Sequence, residues 1–186
     1  MWLHFIVDVS YTLNKKGWFI MHFTIRAISP NEAEAYFSLV NEVKNEGKYL
    51  FATFRIPLEN IEKYIAHHYN SPNPVLGAFN GNDRLVGWID LSPGTIQELA
   101  HVGTIGMGVK KEYRGQGIGS ALLDACIEQA RKIGLEKLEL EVFASNAAAR
   151  ALYRKKGFFE EGIRLKKRKF EGHYDDVVCM GLFIND

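Results

Sequence analysis

The stretch Val109-Lys-Lys-Glu-Tyr-Arg114-Gly-Gln-Gly117-Ile-Gly119-Ser120 leads from an apolar strand through a glycine-rich loop into the start of a helix. Such a loop binds phosphate. Glycines let the backbone come close, and the unpaired N–H groups and positive dipole at a helix start favour an anion, most naturally a diphosphate. Two nucleotide-binding readings fail on spacing. The P-loop pattern Gly-x-x-x-x-Gly-Lys-Ser/Thr is absent. The dinucleotide fingerprint Gly-x-Gly-x-x-Gly meets Ser120 where its third glycine belongs, and only Glu139 or Glu141 echoes its ribose-binding acid. The pattern that does fit is Arg114-x-x-Gly117-x-Gly119.

Outward from the loop, the chain alternates helix and strand signals. The preceding strand, Val102 to Val109, contains Gly103, Gly106 and Gly108, which suits a bulge, close approach by a ligand, or simply a weak strand. Downstream, Ile118, Leu122, Ala125, Cys126 and Ile133 share a helical face from Gly117 to Ile133, with Gly134 as a stop. Leu138, Leu140 and Val142 alternate with Glu139 and Glu141 as a strand, and Asn146 can cap a short helix running to Lys156 before Gly157. Phe158 onward is strand-like, and Ile163 to Ile184 reads as two strands around Glu171-Gly172. Upstream, Met21 to Arg26 alternates as a strand, and Ser29-Pro30-Asn31-Glu32 starts a helix over Asn31 to Glu46. An irregular connection from Gly47 to Pro57, with Tyr49, Phe51 and Phe54, leads to a second helix over Leu58 to Tyr69. Val75 to Phe79 and Arg84 to Leu91 form a hairpin about Asn80-Gly-Asn-Asp83. The order is mixed α/β without repeats. Residues 1–20 are either an extra edge strand or an upstream extension, and residues 21–186 form the domain.

At 186 residues the chain favours one domain, and 47% apolar with 24% charged residues is the make-up of an ordinary globular protein. With 23 Lys and Arg against 22 Asp and Glu, a net charge of +1 gives no general drive toward nucleic acid or anionic membrane. The run Trp2 to Val7 is too short to span a bilayer, and Met1 to Ile20 lacks the layout of a secretory signal. Cys126 and Cys179 are too few for a disulfide scaffold or zinc site, and adjacent His67 and His68 cannot share a helical face as ligands. The expectation is a cytoplasmic protein without metal or membrane span.

Two motifs carry a resemblance. Arg114-x-x-Gly117-x-Gly119 resembles the coenzyme-binding signature of the GNAT acetyltransferases. Asn146-Ala-Ala-Ala-Arg-Ala-Leu-Tyr153-Arg-Lys-Lys-Gly157-Phe158 resembles the family's second signature, Asn followed seven residues later by Tyr and then by Gly-Phe. The resemblance covers about Met21 to Ile184 and implies a central mixed, mostly antiparallel sheet with two splayed parallel strands, flanked by helices. It implies acetyl-coenzyme A as cosubstrate, lying between Thr104 to Val109 and Leu138 to Phe143. Backbone groups of Met107 and Val109 would hold the acetyl carbonyl and pantetheine arm, Met107 as oxyanion donor. N–H groups of Gly115, Gln116, Gly117, Ile118, Gly119 and Ser120 would cradle the diphosphate, and Arg114 joins the binding set. Lys110, Lys111, Arg150 and Arg154 offer further positive charge or are ordinary solvated residues.

By the same resemblance Asn146 contacts the coenzyme arm, or is a plain N-cap, and Tyr153 protonates the departing thiolate, or is a packing tyrosine. Glu98 and His101, just before the central strand, are the candidate bases for freeing the amine, with a structural role as the alternative. Cys126 and Cys179 show no paired base, so direct attack by the amine is expected. The acceptor expected is a small amine or amino acid. The alternatives are a protein N-terminus, as on a ribosomal protein, and a coenzyme A-binding sensor without turnover. The run Arg164-Leu-Lys-Lys-Arg168-Lys169 touches RNA or an acidic partner, or is a solvated strand, and Glu46 attracts an ammonium group or faces water. A homodimer is possible, with residues 1–20 at its interface.

Overall fold

Phe23 and Ile25 alternate with polar neighbours and are buried in strand β2 (His22–Ala27), one of eight strands that form a single sheet among the described residues. The computed structural model describes residues 6–10, 22–50 and 56–184. The other strands are β1 (Ile6–Ser10), β3 (Leu76–Asn80), β4 (Leu85–Pro93), β5 (Val102–Val109), β6 (Lys137–Phe143), β7 (Phe159–Phe170) and β8 (His173–Phe183). They lie in the order β1-β2-β3-β4-β5-β6-β8-β7. Among the described residues, β5 and β6 are the one parallel pair. The mixed α/β sheet expected from the resemblance is present.

Helices α1 (Ala33–Asn45) and α2 (Leu58–Tyr69) cover one face of the sheet, burying Tyr36, Leu39, Val43, Ile61 and Ile65 against Val75, Phe79 and Trp88. The entry to α1 is tied by Glu32, whose carboxylate accepts from the Ser29 N–H and hydroxyl, both at 2.8 Å, and from Arg26. Helices α3 (Ile118–Lys132) and α4 (Ala147–Lys155) cover the other face, where Leu122, Leu123 and Cys126 pack with Ile89, Ile105, Leu138 and Met180. No described helix is long and apolar enough to cross a membrane.

The second helix has the expected bounds, while the first begins with a 3-10 turn at Pro30–Glu32. Ile6 to Ser10 pair with β2 from Arg26 back to His22, so part of the 1–20 segment is an edge strand, and the rest of it lies outside the described residues. Phe51 and Phe54 also lie outside them. Strand β7 breaks register between Arg164 and Arg168, where Lys166 has φ of 51°. Beyond that break Arg168 donates to the Gly47 carbonyl and the Phe170 ring fills the space above Gly47. The last hairpin therefore arches across the sheet to the end of α1.

Candidate active site

Parallel pairing between β5 and β6 stops after Thr104 and Glu139, although both strands continue, to Val109 and Phe143. The direction of the free backbone groups follows from alternation. The Val102 carbonyl accepts from Gly94 at 2.9 Å and the Lys110 N–H donates to Val86 at 2.9 Å, so the even-numbered residues of β5 face β4. The N–H and C=O groups of Ile105, Met107 and Val109 then point into the gap that β6 leaves. One of them, the Val109 carbonyl, accepts from Arg114 Nε at 2.7 Å.

The glycine-rich loop closes one end of this gap. Gly115 and Gly117 have φ of 73° and 84°, a region L-residues avoid, and a side chain at either would meet nothing within 4 Å. Ala121 makes the first bond of α3, to the Gly117 carbonyl, and no side chain caps the helix. The N–H groups of Ile118, Gly119 and Ser120 thus precede the helix's own ladder. Gly119 has a different reason to be glycine: a Cβ would stand 3.1 Å from Leu152 and 3.4 Å from Met107, so its bareness seats α3 against α4 and β5. The Gln116 amide donates to the Glu112 carbonyl at 2.8 Å. Arg114 is committed to the protein: its guanidinium forms a two-pronged pair with Glu46, 2.8 Å on the Nη1 side, and stacks over Tyr49 at 4.5 Å. Glu46 therefore serves the loop.

On α4 the Asn146 side chain accepts from the Ala149 N–H at 3.1 Å, a helix cap. Tyr153, two turns on, is buried with its ring 5.8 Å from that of Phe158, and its hydroxyl makes no hydrogen bond among the described residues. Burial pushes this phenol up to about 12, so it holds its proton at neutral pH. Arg150 and Arg154 both pair with Glu160, and Lys110 pairs with Glu42 and Glu112. Met107, Val109 and Tyr153 belong to the one apolar cluster that includes Ile118 and Leu122 of α3.

Glu98 and His101 do not join them. Both are exposed at the closed end of the β5–β6 pair, where the His101 carbonyl accepts from Glu136 and Lys137. Six residues of extended strand, about 20 Å, separate His101 from Met107.

A carboxylate that sequence reasoning passed over lies much nearer. Asp90 of β4 pairs with Gly106 and is partly exposed in a cavity of about 330 Å³ between the sheet and α1 and α2. Loss of hydration pushes its carboxyl up to about 6, although the Trp88 indole and a backbone N–H favour the anion. Asp90 and Trp88 also explain two β5 glycines. A Cβ on Gly106 would stand 2.9 Å from Asp90 Oδ1, and one on Gly108 would stand 2.2 Å from the Trp88 ring. The sequence signal was a lone acid inside Leu85-Val-Gly-Trp-Ile-Asp90-Leu91, an otherwise apolar strand.

Three comparisons bear on this arrangement. A family model described as the acetyltransferase (GNAT) family matches residues 38–158. The [ribosomal protein bS18]-alanine N-acetyltransferase of Escherichia coli K12 is 42% identical over 79 residues, 42% of this chain and 53% of that protein. The L-amino acid N-acetyltransferase AaaT of the same organism is 31% identical over 97 residues, 52% of this chain and 60% of that protein. The chain thus spans little more than half the length of these curated relatives. Among solved structures, a GNAT-family acetyltransferase from Streptococcus pneumoniae superposes with a TM-score of 0.81 at 29% identity, covering 87% of this chain and 99% of that one.

Proposed function

Because the chain belongs to the GNAT acetyltransferase family, we propose that it moves the acetyl group of acetyl-coenzyme A to the primary amine of a small molecule or amino acid by direct attack. The observation that carries this reading is the β5 edge that β6 leaves unpaired at Met107 and at the Val109 N–H, continuous with the glycine loop that opens α3. The residues present fit the coenzyme. The open space at Gly115 and Gly117 and the helix-start N–H groups of Ile118, Gly119 and Ser120 suit a diphosphate, and the bare strand edge suits an amide-bearing arm.

Acetyl-coenzyme A supplies the activated acyl group. The chain does the rest. Arg114, fixed by Glu46, holds the loop on the Val109 carbonyl, which sets where the diphosphate stops and the arm begins. The Met107 N–H, which points into the gap, would donate to the acetyl oxygen and stabilise its growing charge without having to reorient. Tyr153, kept neutral by burial, gives its proton to the sulfur as the C–S bond breaks. Asn146 holds α4 at its start, and with it the Tyr153 ring.

A cavity of about 330 Å³ suits a small acceptor better than a folded surface. The 42% identity to an enzyme named for ribosomal-protein alanine supports a second reading, acetylation of a protein N-terminus. The test is thiol release from acetyl-coenzyme A with amino acids, simple amines, polyamines, aminoglycosides and short peptides. Turnover on free amines or amino acids supports the first reading, turnover on peptides alone the second. Tight coenzyme binding without turnover on any amine overturns both.

A further inference from the structure

Among the described residues the cavity over Asp90 has one acidic group, walls that are mostly apolar or aromatic, and two polar side chains toward α1. Tyr36, Phe37, Val40, Leu50, Ile61 and Trp88 line it, with Asn41 and Lys44 on the α1 side and Gly106 and Met107 on the floor. Asp90 pairs with Gly106 and its carboxylate leans over that residue, and the far edge of β5 lies about half a strand spacing further, roughly 2.4 Å. Since Gly106 carries no side chain, nothing of that residue stands between the carboxylate and the floor. We propose that Asp90 binds the ammonium of the acceptor and takes its proton, and that the acceptor is a primary monoamine on a compact apolar body, aromatic or branched alkyl. This rests on the acetyltransferase reading and adds to it the acceptor class and the base.

The chemistry balances. The ammonium passes one proton to the Asp90 carboxylate, and the freed lone pair forms the N–C bond to the acetyl carbon as the C–S bond breaks. The sulfur takes a proton from Tyr153, and the second proton shed by nitrogen restores the phenol. Asp90 returns its proton to water, so one amide, one thiol and one proton result. A charged carboxylate with apolar walls suits one positive charge. A polyamine or aminoglycoside would bring further cations against the walls and toward Lys44.

The groups facing Asp90 allow its titration to be read. Tyr36 of α1 and Tyr64 of α2 are raised above the ordinary phenol range, chiefly by burial, and the Cys126 thiol of α3 is pushed up to about 12, also chiefly by burial. All three stay protonated near pH 6. Lys44 lines the same cavity. Asp90 is the carboxylate of this cavity, and it ionises near pH 6.

The experiment measures kcat/KM from pH 5 to 8.5 for 2-phenylethylamine, 3-methylbutylamine, spermidine, kanamycin and an alanine-initiated hexapeptide. Wild type, Asp90→Asn and Tyr153→Phe are compared, and acetyl-coenzyme A binding is measured by calorimetry. The expected result is at least tenfold preference for an apolar monoamine and a rise in kcat/KM through about pH 6. Asp90→Asn should lose about 100-fold in kcat/KM and that pH dependence while binding the coenzyme within twofold of wild type. Gly106→Ala, which drives a methyl toward Asp90 Oδ1, should raise KM for the amine and provides the check if Asp90→Asn does not fold. Preference for spermidine, kanamycin or the peptide would overturn the acceptor class. Asp90→Asn within threefold of wild type would overturn the base. In either case turnover that still depends on Tyr153 leaves the acetyltransferase reading standing, whereas coenzyme binding with no turnover on any amine removes both.

Discussion

Removing the Tyr153 hydroxyl takes away a proton donor that no described residue uses, and leaves the ring on Phe158. Tyr153→Phe should therefore lower kcat about 100-fold, with the melting temperature within about 2 °C of wild type. Thiol-release kinetics and a thermal melt read the two effects separately. Asp90 presents the opposite balance. Its folded-state value of about 6 stands above the ordinary 3.8, so the unfolded chain gives up this proton first. Stability then falls as pH rises from about 4 to 6, and above that range the buried anion carries a constant penalty. Asp90→Asn should raise the melting temperature by about 5 °C at pH 8 and by little at pH 4, as scanning calorimetry would show. The place of Tyr153 on α4 was legible in the sequence because Asn146 caps that helix and Gly157 ends it. Asp90 was not, because its meaning depends on pairing with Gly106 sixteen positions away and on two helices that cover it. Glu98 and His101 were the converse: near the right strand in sequence, and at its far end in space.

At the level of elements, the loop's glycines divide by cause. Gly117 is required by its backbone angle and Gly119 by its neighbours, so the same substitution acts differently at each. Gly117→Ala should cost about 1 kcal/mol through the left-handed φ and raise the dissociation constant for acetyl-coenzyme A at least tenfold. Denaturant melts and calorimetry would check this, and an unchanged affinity would remove the loop from the binding site. Helix α2, strand β2 and the last turn were readable because local signals agree with the final packing: a proline-rich stop after Tyr69, period-two burial, and Glu171-Gly172 with φ of 48° and 82°. The register break in β7 was not readable. Its basic run has no apolar alternation to fix pairing, and the bend is set by Asp176, which accepts from the Lys166 N–H at 2.6 Å across the hairpin.

For the whole molecule, the sheet has two different edges, β1 at one end and β7 at the other. The Met1–Ile20 segment contributes β1, which joins the sheet only through β2. Deleting residues 1–20 should uncover the β2 edge, lowering the melting temperature by about 5 °C with kcat unchanged. Light scattering on the same sample tests whether a homodimer uses this segment: a halved mass supports it, and an unchanged mass removes it. The opposite edge carries a consequence for how the chain folds. Strand β7 is made before β8 but reaches the sheet only through it, since β8 lies between β7 and β6. Until β8 slots into place, β6 has a bare edge and the arch from Arg168 and Phe170 to Gly47 has no support. That closure links residues more than a hundred positions apart, an event of high contact order that belongs late in folding. A nascent chain would thus hold the glycine loop, Tyr153 and the walls around Asp90 in order before the last hairpin reaches the end of α1.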